Sequence, residues 1–283
     1  MKRWLVVCAV SLRLLAGAAP DYEEGLRLFN RTDYQQSLHL LQRIPDKDAR
    51  TWELIGKNLF KLGEYKQAGE AFEKAFAADP ANSMYALWLG RSLGRRAESA
   101  NPLLAPSLAS KARRWFERAV ELNPRNQEAL SDLFEYYLEA PGFLGGGLDK
   151  ARAVAARIKE LDPAEGAQAE ARVATKRKEF STAEAHLRRA IALAPRQVTR
   201  VLDLATFLAK QGRFEESEQW YQQAAQLDPR HPRLLFERAE AYIRAGRNLA
   251  TARELLEQYL RAPLTPDDPP REAAERLLKE AAS

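Results

Sequence analysis

The chain has 283 residues, 46% hydrophobic and 29% charged, a balance that supports a folded chain rather than a disordered one. Its formal net charge is +5, but Lys2, Arg3 and Arg13 supply three of those positives and the remainder carries only +2. With acids and bases interspersed throughout, this argues against nucleic acid or an anionic membrane surface as partner. The one cysteine, Cys8, excludes a disulfide scaffold and a cysteine-ligated metal site.

In chain order, MKRWLVVCAVSLRLLAGAAP reads as an export signal. Lys2 and Arg3 form a charged start, Trp4 to Val10 is an apolar run, and Ala16-Gly17-Ala18 offers a small-x-small cleavage pattern. Cleavage is expected after Ala18, which makes the mature chain periplasmic or secreted. Arg13 interrupts the apolar stretch, and no window reaches the ~18 uninterrupted apolar residues of a membrane span. The competing reading is an N-terminal helix that caps the domain.

Beyond this segment the chain repeats itself. AFEKAFAADP (71–80) recurs as WFERAVELNP (115–124), ARIKELDP (156–163), HLRRAIALAP (186–195) and WYQQAAQLDP (220–229). Each string predicts a helix ended by a proline that cannot continue it. The prolines at 80, 124, 163, 195 and 229 are 44, 39, 32 and 34 residues apart. A period near 34 is that of helix-turn-helix repeats. The clearest unit, TWELIGKNLFKLGEYKQAGEAFEKAFAADP (51–80), places Trp52, Gly56, Gly63, Tyr65, Ala68, Phe72, Ala75 and Pro80 in a pattern that resembles the tetratricopeptide repeat. Ile55 and Leu59 replace that family's usual Leu and Tyr.

Six units follow this register, at 49–82, 83–126, 127–163, 164–197, 198–231 and 232–265, after a degenerate one at 20–48. The resemblance implies an all-α, right-handed superhelical solenoid of helix-turn-helix repeats. Small residues are expected to let paired helices approach: Gly56, Gly90, Ala171, Ala205 and Ala239 on first helices, Ala68, Ala112, Ala151 and Ala183 on second ones. Large ones such as Phe72, Phe116, Leu204 and Tyr221 fill the space between pairs. No unit buries its apolar face alone, so the units are expected to stack into one continuous domain. In the tail, 266–283, a helix from Arg271 to about Ala281 is expected to cap the last repeat.

Two units are longer than the rest. One carries extra residues within 95–110, expected as a loop or as an extension of the first helix followed by a loop; the other carries APGFLGGGLDKA at 140–151. Gly145, Gly146 and Gly147 follow a helix rather than a strand, so a bent inter-helix turn fits them better than a phosphate cradle. Insertions on one side of adjacent repeats either gather on a binding face or are length drift that a solenoid tolerates.

Catalytic chemistry finds little support. His39, His186 and His231 lie on different repeats without neighbours at metal-ligand spacing, and no nucleophile turn, HExxH or phosphate loop is present. In the resembled family the first helices line a concave groove that takes an extended peptide or a partner helix. By repeat position that lining includes Arg50, Lys57, Met84, Leu87 and Arg91, then Glu128, Arg172, Lys176, Leu202 and Phe236. Met84, Leu87, Leu202 and Phe236 are the expected apolar anchors, and the charged members would read a segment of mixed charge. The family's carboxylate clamp is not matched: Glu53 and Lys57, Trp88, then Glu128 and Asp132 stand at its positions. The reading is a non-catalytic scaffold or adaptor, without cofactor or metal, that binds a protein or peptide in assembly of an envelope complex. The alternatives are a cell-wall glycan enzyme using Glu128 or Glu135, and a self-associating repeat protein.

Overall fold

The computed structural model describes residues 20–265 and 268–281. The export signal expected at 1–18, with Cys8, lies outside them. The described residues form helices joined by short turns, with no strand among them. After α1 (20–30) come α2 (Tyr34–Gln42), α3 (Ala49–Lys61), α4 (Tyr65–Ala78), α5 (Ser83–Ser99), α6 (Ala105–Leu122) and α7 (Gln127–Glu139). A 3-10 turn, Gly142–Leu144, precedes α8 (Leu148–Leu161). Then follow α9 (Pro163–Lys176), α10 (Phe180–Leu193), α11 (Val198–Lys210), α12 (Phe214–Leu227), α13 (Pro232–Arg244), α14 (Leu249–Arg261) and α15 (Arg271–Glu280). Packing divides the chain into two units that meet in sequence within α8, one ending at Val154 and the other starting at Ala155. The sequence, read as one continuous repeat domain, gives no sign of this division.

One turn recurs in both units. The amide of Asp33 donates to Leu28 O, Glu64 to Leu59 O, Glu179 to Ala174 O, Arg213 to Leu208 O and Arg247 to Tyr242 O. This six-to-one bond needs a left-handed residue just past the first helix. Thr32, Gly63, Lys178, Gly212 and Gly246 fill that place, with φ of 65°, 82°, 62°, 75° and 65°. Seven residues before each stands a small, buried one: Gly25, Gly56, Ala171, Ala205 and Ala239. At Gly56 a Cβ would lie 2.7 Å from Phe72 Cε1, and at Gly90 it would lie 2.5 Å from Phe116 Cε1. The large rings of second helices therefore occupy the room that the small residues leave. The repeat at 20–48, degenerate in sequence, keeps this register.

The first helices α3, α5, α7 and α9 open on Asp48, Asn82, Asn126 and Asp162, whose side chains accept from backbone amides one turn in. Second helices follow the turn directly and have no such cap at Glu64, Glu179, Arg213 or Asn248. Apolar cores lie between the paired helices. In the first unit Leu41, Leu54, Ile55 and Phe72 are buried together, and full burial of a side chain such as Phe72 stabilises by about 1.5–3 kcal/mol. In the second, Leu202, Leu204, Leu208 and Tyr221 form one cluster, and Phe236, Leu256 and Tyr259 form another with Leu277 of α15. The expected terminal helix thus packs against the last helix pair.

Both insertions depart from the common turn. The place seven residues after Gly90 is Ala97, and α5 runs through it to Ser99. The extra residues lengthen α5 and α6 and leave a short loop at 100–104. In 140–147 the chain folds tightly back on α7: Gly147 N donates to Tyr137 O at 2.9 Å and Tyr136 Oη donates to Leu144 O at 3.0 Å. A Cβ on Gly146 would stand 1.8 Å from Ala140 O, so only glycine fits there.

Candidate partner-binding site

In the first unit two consecutive first helices bring a cation each to one aromatic ring, and the next first helix holds one of those cations. Trp88 of α5 stacks on Phe72 at 5.5 Å and meets Phe60 of α3 edge-on at 5.2 Å. Lys57 Nζ lies 5.8 Å from the centre of that indole and the Arg91 guanidinium 4.9 Å from it. Lys57 is also paired with Glu53 at 2.6 Å, one helical turn before it. Arg91 reaches to α7, where its Nε donates to Asp132 at 2.6 Å and its Nη1 to Glu128 at 2.9 Å. Burial pushes the Asp132 carboxyl above the ordinary aspartate value, against the opposing hydrogen bond and charge of Arg91. Burial disfavours the Arg91 charge as well, but the bonds and charges of Asp132 and Glu128 outweigh it and raise its pKa.

Beside this row opens a pocket of about 570 Å³. Phe60, Phe116, Tyr136 and Leu144 give it apolar walls; Arg91 and Arg95 stand at it with four carboxylates, Glu98, Asp132, Glu135 and Glu139. Both insertions contribute. The extended α5 supplies Gly94, Arg95 and Glu98, the extended α6 supplies Ala109, and the 140–147 turn supplies Ala140, Pro141 and Leu144. A Cβ placed on Gly94 meets nothing within 4 Å, so the space above α5 is open because that residue has no side chain. Arg95 is itself held, over the Tyr65 ring at 5.4 Å and beside Glu98 at 2.5 Å. With two guanidiniums against four carboxylates, the pocket favours a basic, partly apolar occupant.

Of the residues expected to line a groove, Lys57, Arg91 and Glu128 do converge here. Arg50 is exposed and stacks on Tyr22 at 4.7 Å, and Met84 is half-buried with its Sδ 3.3 Å from the Asn126 amide nitrogen. The expected apolar anchors are corrected by the structure. Leu87 and Leu202 are 0% exposed and Phe236 is buried as well, because they face the inter-helix core instead of the groove. Arg172 is half-buried and Lys176 exposed, both on α9 of the second unit. The residues that sequence reasoning missed are Gly94, Arg95, Tyr136 and Leu144. The only signal for them was the position of the two insertions.

First helices of the second unit carry a ladder of paired charges. Arg200 bonds Glu165; Asp203 accepts from Gln168 and pairs with Arg233 at 2.6 Å; Arg233 pairs with Glu237 at 2.6 Å. Glu237 in turn accepts from Thr206, whose hydroxyl lies 3.1 Å from that of Tyr221. Desolvation raises the Asp203 pKa despite Arg233. Among the described residues no group of three His, Cys, Asp or Glu could hold a metal ion, and no helix is long and apolar enough to cross a membrane.

Two tetratricopeptide repeat family models match the chain, one at residues 49–82 and one at 169–232. A tetratricopeptide repeat protein from Parabacteroides merdae superposes with a TM-score of 0.68 at 15% identity, over 93% of this chain and 100% of that one. A thermophilic tetratricopeptide repeat protein of Thermus thermophilus gives 0.53 at 20% identity, over 68% of this chain and 99% of that one. PilF of Pseudomonas aeruginosa gives 0.52 at 18% identity, over 81% and 96%. At these identities the likeness shows the fold alone. No curated protein matches the chain.

Proposed function

From a chain that is a tetratricopeptide repeat protein, we propose a non-catalytic adaptor that captures a peptide segment of a partner on the first-helix face of residues 20–154. Such repeats mediate protein–protein interaction through preformed surfaces, whose rigidity limits the entropy lost on binding. The observation that carries the reading is the pocket of about 570 Å³ walled by both insertions. Its chemistry selects a bulky apolar side chain next to a lysine or arginine: the apolar group fills the space above Gly94, and the cation meets Glu98, Glu135 and Glu139. Lys57, Arg91 and Glu128 continue the surface past Trp88, where a following acidic residue meets Lys57. The expected export signal would place this adaptor in the envelope, with assembly of an envelope complex as its process.

Panning a random peptide library against the full chain and against Gly94→Trp tests it. The indole added at Gly94 projects into open space and fills the pocket without disturbing the core. Peptides enriched on the parent, lost on the variant and carrying an apolar residue beside Lys or Arg support the reading. Enrichment that ignores the variant, or none at all, refutes it. The mass of the protein recovered from cells tests export separately, since removal of 1–18 shortens the chain.

A further inference from the structure

Helix α6 has two working sides. Ala109 and Phe116, seven residues apart, share the side that faces the acidic pocket. Lys111, Arg114, Trp115 and Arg118 fall on the opposite side of the same helix and line a second cleft of about 520 Å³ with Phe76 of α4 and Pro80 just past its end. The floor is aromatic: Trp115 meets Phe76 edge-on at 5.1 Å and 82°. Three cations line this cleft and no carboxylate does. Arg118 alone leans to an acid, Glu121, at 3.2 Å in a pair that is exposed on both sides and therefore worth little. The two clefts of one helix thus carry opposite charge.

We propose that the Phe76–Trp115 cleft is a second docking site, for an acidic peptide segment that carries an aromatic side chain. The ring packs against Phe76 and Trp115 in the edge or offset geometry that aromatic groups favour, and flanking carboxylates meet Lys111 and Arg114. Guanidinium and ammonium groups around a concave apolar floor suit a peptide better than a lipid surface. A flat membrane would engage three cations only weakly, at about 1 kcal/mol each. The site is independent of the acidic pocket and would let the adaptor hold two partners of opposite charge.

The test uses the full chain and a fluorescein-labelled peptide, GDEFEDG, with GDEAEDG and GKKFKKG as controls, read by anisotropy at low salt. The expected result is saturable micromolar binding of GDEFEDG, weaker for GDEAEDG and absent for GKKFKKG. Lys111→Glu/Arg114→Glu weakens it at least tenfold, while Gly94→Trp leaves it unchanged. Both altered side chains are exposed, so circular dichroism should show the fold intact. Equal binding by parent and double variant overturns the proposal, as does absence of binding. Phosphatidylglycerol vesicles that bind the parent, lose it in the double variant and are not displaced by GDEFEDG also overturn it, in favour of a membrane surface. A loss on Gly94→Trp would place the peptide in the acidic pocket and defeat the second site while leaving the first.

Discussion

The two units solve the same packing problem and differ in what they leave open. In the second, the first-helix carboxylates and guanidiniums close on one another, from Glu165–Arg200 through Asp203–Arg233 to Glu237 and Thr206. In the first, the cations have carboxylate partners too but also rest on aromatic faces, Lys57 and Arg91 on Trp88 and Arg95 on Tyr65, and a pocket remains beside them. The difference follows from chain length. A regular repeat turns seven residues after its small first-helix residue; successive first helices pair their charges in both units, as Arg91 does with Asp132 and Glu128. The unit at Ser83 runs on instead, and the next carries a turn held by Gly146 and Tyr136. Insertion in a solenoid thus makes space without disturbing the neighbouring repeats.

The largest test of that independence removes core volume. Phe72 and Tyr221 are fully buried equivalents in the two units. Phe72→Ala and Tyr221→Ala should each cost about 3–5 kcal/mol. Hydrogen exchange should lose protection around the altered core while the other unit keeps its own. Simultaneous loss in both units from either substitution would show a single cooperative block and defeat the division at α8.

Smaller effects should separate the two charge arrangements. Arg233→Met strands Asp203 and Glu237, whose side chains are only 11% and 15% exposed, and should cost about 2 kcal/mol in urea unfolding. Arg91→Met strands Asp132 and Glu128, exposed by 24% and 56%, and should cost about 1 kcal/mol or less. The Arg233 penalty should shrink on acidification, since protonated Asp203 no longer demands a counter-charge. Equal costs would mean that the ladder of the second unit is no tighter than the row of the first.

Much of this fold was legible as punctuation. Prolines marked the ends of second helices, and Gly56 and Gly90 foretold the rings of Phe72 and Phe116. The site was less legible for a geometric reason. First helices are covered both by their own partner and by the next repeat, so a step of one residue, 100° around the helix, separates groove from core. Leu87 falls on the core side, whereas Trp88 and Arg91 reach the outer one. The pocket depends on how two insertions fold, and the second folds through a close approach of Gly146 to Ala140 that no spacing encodes.

The recurrent turn offers a matched pair of stabilising changes, one in each unit. Thr32 and Lys178 hold φ of 65° and 62° where Gly63, Gly212 and Gly246 stand elsewhere. A side chain in that region costs roughly 1–2 kcal/mol relative to glycine, offset in part by the freedom glycine has when unfolded. Thr32→Gly and Lys178→Gly should therefore each raise stability by about 0.5–1 kcal/mol. The gain should be larger at Thr32, whose β-branched side chain tolerates a positive φ least. Thermal melts showing a loss at either position would mean that its side chain contributes a contact outweighing the strain.

The finest comparison is electrostatic. Free aspartate titrates near 3.9 and free glutamate near 4.3. Burial raises Asp132 in the first unit and Asp203 in the second, in each case against the pull of an arginine, whereas hydrogen bonds from Arg213 hold Glu184 down, against a smaller effect of burial. Glu184 should therefore titrate below the ordinary glutamate value and both aspartates above the ordinary aspartate value, read by carbon-detected carboxyl titration. The signs for stability are opposite. For the two aspartates the native state holds protons that the unfolded chain has released, so their contribution falls as pH rises through the interval above the ordinary aspartate value. For Glu184 the stabilisation is complete above the ordinary glutamate value and is lost as pH falls toward its lowered one. If Glu184 titrates at or above the ordinary glutamate value, the Arg213 pair is not formed in solution; if only Asp132 titrates normally, the first-unit row is open to water and the contrast between the units is greater still.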